Sequence, residues 1–167
     1  MQCKLEKLNL KFAQALANAI GDKRVQNNLR DGLPYPYTAE DAKQFITAMQ
    51  TSNEHIFAIT VDGEFAGCIT AMPGNNIHKR TAEVGYYIAP EYWGNGLCTQ
   101  AVKMLSEYVF ANTDIVRLYA EPFARNKASC RVLEKAGFVF EGTLRKNAFK
   151  NGVFEDMQMY SLLKETI

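Results

Sequence analysis

The stretch AEVGYYIAPEYWGNGLCTQAVKML, Ala82 to Leu105, decides how this chain is read. Its first part, Glu83 to Ala89, carries Val84, Tyr86, Tyr87 and Ile88 in a strand-forming run that stops at Ala89-Pro90. Gly94-Asn95-Gly96 then turns the chain into a helical pattern, with Leu97, Ala101, Met104, Leu105, Tyr108 and Val109 recurring at three- and four-residue steps. A strand that passes through a glycine turn into a helix leaves the helix's first backbone N–H groups without acceptors. Those donors and the positive end of the helix dipole favour an anion, so the pattern predicts a phosphate-bearing ligand at Gly94 to Thr99. The other reading of the two glycines is a tight turn before a core helix. The P-loop pattern GxxxxGK[ST] is absent, and Thr99 stands where a dinucleotide fingerprint needs its third glycine.

Outward from this centre, Ile56 to Val61 and Phe65 to Ala71 form a hairpin around Asp62-Gly63. Further upstream, Leu5, Leu8 and Leu10 alternate as an opening strand, and Lys11 to Ile20 and Asp22 to Leu29 read as helices. Thr38 caps another helix, which carries Ala42, Phe45, Ile46 and Met49 inward. Between them, Arg30 to Tyr37 holds a glycine and two prolines and is irregular. Downstream lie a strand at Val116 to Ala120, a helix at Asn126 to Ala136 stopped by Gly137, and a closing hairpin. That hairpin joins Phe138-Val139-Phe140 to Val153–Leu163 through Lys150-Asn151-Gly152. The result is one α+β domain over residues 1–167, with a mostly antiparallel sheet and helices on both faces.

With 167 residues, 47% of them hydrophobic, the chain supports a full core. A net charge of +1 gives no general reason to expect nucleic acid or an anionic membrane as partner. No apolar run reaches transmembrane length, and Met1-Gln2-Cys3-Lys4 does not open a signal peptide. Cys3, Cys68, Cys98 and Cys130 lack a CxxC pairing, which fits reduced thiols in a cytoplasm. With only His55 and His78 and no HExxH, no metal site is expected.

Several motifs point further. Tyr92-Trp93-Gly94-Asn95-Gly96-Leu97-Cys98 follows the central strand, and Asn126-Lys127-Ala128-Ser129 runs to Val132-Leu133-Glu134-Lys135-Ala136-Gly137-Phe138. Glu141-Gly142-Thr143-Leu144-Arg145, Asn151-Gly152 with Asp156, and Arg30-Asp31-Gly32-Leu33-Pro34-Tyr35-Pro36-Tyr37-Thr38 complete the set. In this order they resemble the GNAT-fold N-acetyltransferases, in particular the RimJ/RimL-like branch that acetylates ribosomal-protein N-termini. Two departures stand out from the acyl-CoA signature [RQ]-x-x-G-x-[GA]: Trp93 replaces its polar first residue, and Cys98 its small last one.

The resemblance implies a mixed, mostly antiparallel sheet of about seven strands whose central pair splays apart. The pantetheine arm of acetyl-CoA would fill that gap like an added strand, satisfying unpaired backbone groups. It further implies cofactor contacts at Tyr87, Ile88, Ala89, Trp93, Gly94, Asn95, Gly96, Leu97, Cys98, Thr99 and Asn126, with an oxyanion donor near Tyr87–Ile88. Asn126 also reads as a plain helix cap. Glu83 matches the general base that several family members use, directly or through water; otherwise it is a strand charge paired with Arg80 or Arg117. Ser129 matches the residue that protonates the leaving thiolate in the RimJ/RimL-like branch, in place of a tyrosine that is Leu133 here. Its other reading is a first-turn serine bonding the helix backbone. Tyr35, Tyr37, Phe149, Asp156 and Glu121 are the candidates for receiving the amine.

The implied reaction is direct acetyl transfer to a primary amine, with a protein or peptide N-terminus favoured as acceptor. A small amine (amino acid, polyamine or aminoglycoside) and a non-catalytic acyl-CoA-binding module are the alternatives. The quaternary state, a homodimer included, stays open.

Overall fold

A computed structural model describes residues 1–165. One seven-stranded sheet runs in the order β1-β2-β3-β4-β5-β7-β6. Its strands are β1 (Lys4–Lys7), β2 (His55–Val61), β3 (Glu64–Pro73), β4 (Thr81–Ile88), β5 (Arg117–Ala120), β6 (Val139–Lys150) and β7 (Val153–Leu163). The helices are α1 (Ala13–Gly21), α2 (Lys23–Gln26), α3 (Ala39–Met49), α4 (Leu97–Asn112) and α5 (Lys127–Lys135). Among the described residues, only β4 and β5 pair in parallel.

Alternation along β4 divides the core. Ala82, Val84 and Ile88 face α4 and α5, packing with Leu97, Ala101, Leu105, Val109 and Leu133. On the other face, Leu16, Ile20, Ala42 and Ile46 of α1 and α3 cover Ala58, Phe65 and Cys68. Helices therefore lie on both faces, as the periodicity indicates.

Three ends differ from the sequence reading, the first being the helix expected over Asp22 to Leu29, which closes at Gln26. β1 stops at Lys7 because the Asn9 side chain donates to the Lys7 carbonyl and accepts the Lys11 N–H, opening a tight turn at Leu10–Phe12. Leu10, expected in the strand, is half exposed in that turn. At the far end, β6 is much longer than Phe138-Val139-Phe140 suggests. Register shifts at Phe140/Gly142 and Leu144/Ala148 break its alternation and conceal it from a period-two search.

The fork that positions the site lies between β4 and β5. β4 pairs with β3 from Ala82↔Pro73 to Ile88↔Gly67, but with β5 only at Thr81↔Arg117, Ala82↔Leu118 and Glu83↔Tyr119. Beyond Ala120 the chain follows β7 instead: the Gln158 N–H donates to the Pro122 carbonyl, and the Ala124 N–H to the Asp156 carbonyl. Pro122 itself has no N–H to offer β4. From Gly85 onward, β4 thus has a strand neighbour on one side only.

Gly67 maintains the other side. A β-carbon there would stand 2.2 Å from the Tyr87 carbonyl oxygen and 3.0 Å from Ile88 Cα, closer than backbone atoms allow. Gly67→Ala is expected to lower stability by about 1–3 kcal/mol, the usual cost of overpacking. Thermal unfolding checks this; an unchanged melting temperature would mean the strand end relaxes freely.

Candidate active site

The open edge of β4 forms one wall of a cleft of about 600 Å³. Tyr86, Tyr87, Ile88 and the turn Trp93–Thr99 line that side, and Asn126, Ser129 and Val132 of the α5 region line the other. Ala89 lies outside it: buried against the α1–α3 side, its N–H is spent on the Ala66 carbonyl at 2.8 Å. Strand alternation then turns the Tyr87 N–H toward β3 and the Ile88 N–H toward the cleft. The Tyr87 hydroxyl is buried on the α1–α3 side without a partner among the described residues, so Tyr87 offers the cleft little beyond its backbone.

Gly94 and Gly96 have φ of 79° and 72°, and nothing lies within 4 Å of where their β-carbons would be. Among the described residues, the N–H groups of Asn95 to Thr99 have no acceptor; the first helical bond is from Gln100 N–H to the Gly96 carbonyl. The Asn95 side chain folds back onto the Tyr92 and Trp93 carbonyls, leaving the amides clear. Trp93 braces the strand end, its indole N–H donating to the Ile88 carbonyl at 2.8 Å, and the Arg24 guanidinium stacks 5.4 Å from its ring. Arg24, Arg131 and Lys135 bring positive charge to the rim. Open amides, a wide approach and basic side chains suit a pyrophosphate. Cys98 lines the cleft as a protonated thiol, its pKa pushed up to about 12 by burial.

Opposite, Asn126 caps α5, its Oδ1 accepting the Ser129 N–H at 3.2 Å, while its amide nitrogen stays free among the described residues. Ser129 Oγ lies 2.8 Å from the Tyr86 hydroxyl, which also reaches the Ser129 carbonyl at 3.3 Å. Burial drives the Tyr86 phenol well above its ordinary pKa, with the Ser129 bond pulling the other way. The pair is therefore a neutral, hydrogen-bonded hydroxyl couple facing the cleft.

Glu83 occupies the last paired position of the fork. Its partner is neither Arg80, which meets Asp114, nor Arg117, which meets Glu141. Instead the Arg30 guanidinium grips both Glu83 oxygens and reaches Glu121 Oε2 at 3.3 Å. Burial, then the neighbouring Glu83 charge, raises the Glu121 pKa, and Arg30 offsets part of that. A raised carboxyl pKa favours the fold at low pH, and that contribution is lost as pH rises through the folded value. Glu121→Gln is therefore expected to raise the melting temperature at neutral pH, with no gain below the ordinary value of 4.5. Melting curves across pH test the sign.

Glu121 also lines a second cavity of about 350 Å³ with Arg30, Asp31, Phe149 and Lys150. The other amine-side candidates stand apart from it. Tyr35 is exposed under Lys23, and Tyr37 packs on the α1–α3 core. Asp156 accepts the Lys146 N–H at 2.7 Å, where Lys146 has φ of 52°.

The family model described as the acetyltransferase (GNAT) domain matches residues 4–139. The chain belongs to the GNAT acetyltransferases. It is an acyltransferase, and the acetyl donor of this family is acetyl-CoA. The GNAT chain is 35% identical over 133 residues to the probable N-acetyltransferase YjcK of Bacillus subtilis, covering 76% of this chain and 74% of that one. It is 32% identical to spermidine N(1)-acetyltransferase of Escherichia coli over 74% of this chain and 66% of that relative. Among solved structures, a ribosomal L7/L12 α-N-protein acetyltransferase, RimL, in complex with coenzyme A superposes with a TM-score of 0.85. That likeness, at 21% identity over 96% of this chain and 93% of the other, is one of fold. No helix of this acetyltransferase, among the described residues, is long and apolar enough to cross a membrane.

Sequence reasoning missed several residues at this acetyltransferase's site. Tyr86 had a signal: a tyrosine on the core face of a strand needs a partner for its hydroxyl. Arg131 and Lys135, four apart on α5, present one basic stripe. Arg30 and Lys150 had none, because their partners lie far away in sequence.

Proposed function

We propose that this acetyltransferase moves the acetyl group of acetyl-CoA directly onto the α-amine of a protein or peptide, within a ternary complex. The observation that carries the reading is the position of Glu83, the last β4 residue paired with β5 and joined through Arg30 to the second cavity. In this reading the open β4 edge, the amides of Asn95 to Thr99 and the free Asn126 amide hold the donor, and its thioester points toward Glu83. A cleft-facing N–H of β4 receives the carbonyl oxygen as charge gathers there.

The acceptor ammonium enters from the second cavity and displaces Arg30. Glu83 takes a proton from it, the freed nitrogen attacks the thioester carbon, and the C–S bond breaks. Ser129, backed by Tyr86, gives the departing sulfur a proton. Of the two protons the nitrogen sheds, one is balanced by the new thiol and the other leaves to solvent through Glu83. No acyl-enzyme is needed, in keeping with the protonated state of Cys98.

A second reading, transfer to a polyamine, is favoured by the similarity to a spermidine acetyltransferase. Thiol release from acetyl-CoA separates the two, using peptides with free α-amines, their N-acetylated forms, and spermidine. Release driven by free α-amines is expected. Release that is greatest with spermidine supports the polyamine reading, and release independent of any amine contradicts direct transfer.

A further inference from the structure

We infer that the acceptor is zwitterionic at its recognised end, a peptide α-amine with a carboxylate in its first two residues, and that Arg30-Asp31 stands in for it. This rests on the α-amine reading above. Fixed charges of both signs stand at the second cavity: Glu121 and Lys150 line it, and Glu83 is tied to it through Arg30. Glu83 and Glu121, with side chains 17% and 20% exposed, sit on β4 and just beyond β5, and the Lys150 side chain is 9% exposed at the end of β6. Burying such groups without partners is costly.

Their partners are consecutive residues of one exposed turn. The Arg30 guanidinium lies on the two glutamates, and Asp31 Oδ1 accepts from Lys150 Nζ at 2.8 Å. The Arg30 and Asp31 side chains are 58% and 74% exposed, and Gly32 follows with φ of 108°. The turn is pinned before it, where Arg125 donates to Asn28 Oδ1 and the Asn27 carbonyl, and after it by the Thr38–Asp41 capping box.

A cation and an anion one residue apart thus occupy a rigid site whose own charges are complementary to both. A ligand carrying the same pair, ammonium toward Glu83 and Glu121, carboxylate toward Lys150, replaces both contacts at once. A polyamine supplies the first and meets Lys150 as a like charge, which is discrimination by repulsion. Adjacent Cα atoms are about 3.8 Å apart, and both side chains reach outward from them. The span suits a carboxylate on the first or second side chain of a peptide.

The test compares kcat/KM for peptides that differ only as Asp or Asn at the second residue, alongside spermidine. The Asp peptide should lead its Asn twin by at least about tenfold, as expected when a buried charged group is left unpaired. Lys150→Met, which keeps the buried volume, should abolish that lead with CoA affinity unchanged. Asp31→Asn, at an exposed position, should lower KM for the Asp peptide alone by roughly two- to fivefold. Equal Asp and Asn peptides, a better rate with spermidine, or an undiminished Asp preference in Lys150→Met overturns the zwitterion assignment and leaves acetyl transfer standing. No acetylated product from any amine overturns both.

Discussion

Replacing Glu83 by Gln is expected to lower kcat/KM for the acceptor by about 10²- to 10⁴-fold, the usual worth of a positioned general base. CoA affinity and melting temperature should stay near those of the parent. An amide keeps the shape of the carboxylate and still accepts a hydrogen bond from Arg30, so the fork should stay intact. It cannot take a proton from the incoming ammonium. The size of the loss separates the two roles a glutamate can have here. If Glu83 only anchors Arg30, its removal breaks an ion pair whose arginine is more than half exposed. Such a pair contributes about 1 kcal/mol or less. A loss above about a hundredfold, or 2.7 kcal/mol, is too large for that role. Steady-state rates at saturating CoA, with a thermal melt on the same sample, give the answer. Full activity in the Gln variant would remove Glu83 from the chemistry.

The second large effect is expected at the other end of the cleft. Gly96→Asp should weaken CoA binding by roughly a hundredfold, about 2.7 kcal/mol, and leave the fold standing. Gly96 caps α4 in a left-handed conformation, with φ of 72° and no side-chain capping bond. Aspartate is among the few residues that tolerate this region, at a modest cost in backbone strain. Its charge complements the helix dipole. The substitution is therefore mild for the helix but puts a carboxylate where a pyrophosphate would meet the free amides of Asn95 to Thr99. Calorimetric titration with CoA measures the loss. An unchanged Kd would show that the phosphates lie elsewhere.

How legible this molecule is from its sequence depends on the range of the interaction. β4, the glycine turn and α4 follow from local rules, because strand propensity, glycine φ and helical spacing act over a few residues. The splay came only from the family resemblance. Its cause is the attachment of Pro122 and Ala124 to β7, contacts made across more than thirty residues of chain. The true partner of Glu83 was hidden for the same reason. Arg80 and Arg117 are near in sequence or adjacent in register, yet each has its own acid, and Arg30 arrives from an irregular turn. Tyr35 and Tyr37 lie in an irregular segment and Asp156 meets the register shift of β6, and residue type alone does not say which way such side chains face.

Amide hydrogen exchange with and without CoA tests the central claim, that the unpaired edge of β4 and the start of α4 together hold the donor. The predicted result is new protection at Ile88 and across Asn95 to Thr99, with little change at Tyr87 and Ala89, which β3 already engages. CoA binding that leaves Ile88 and Asn95 to Thr99 exchanging at their free rates would contradict it.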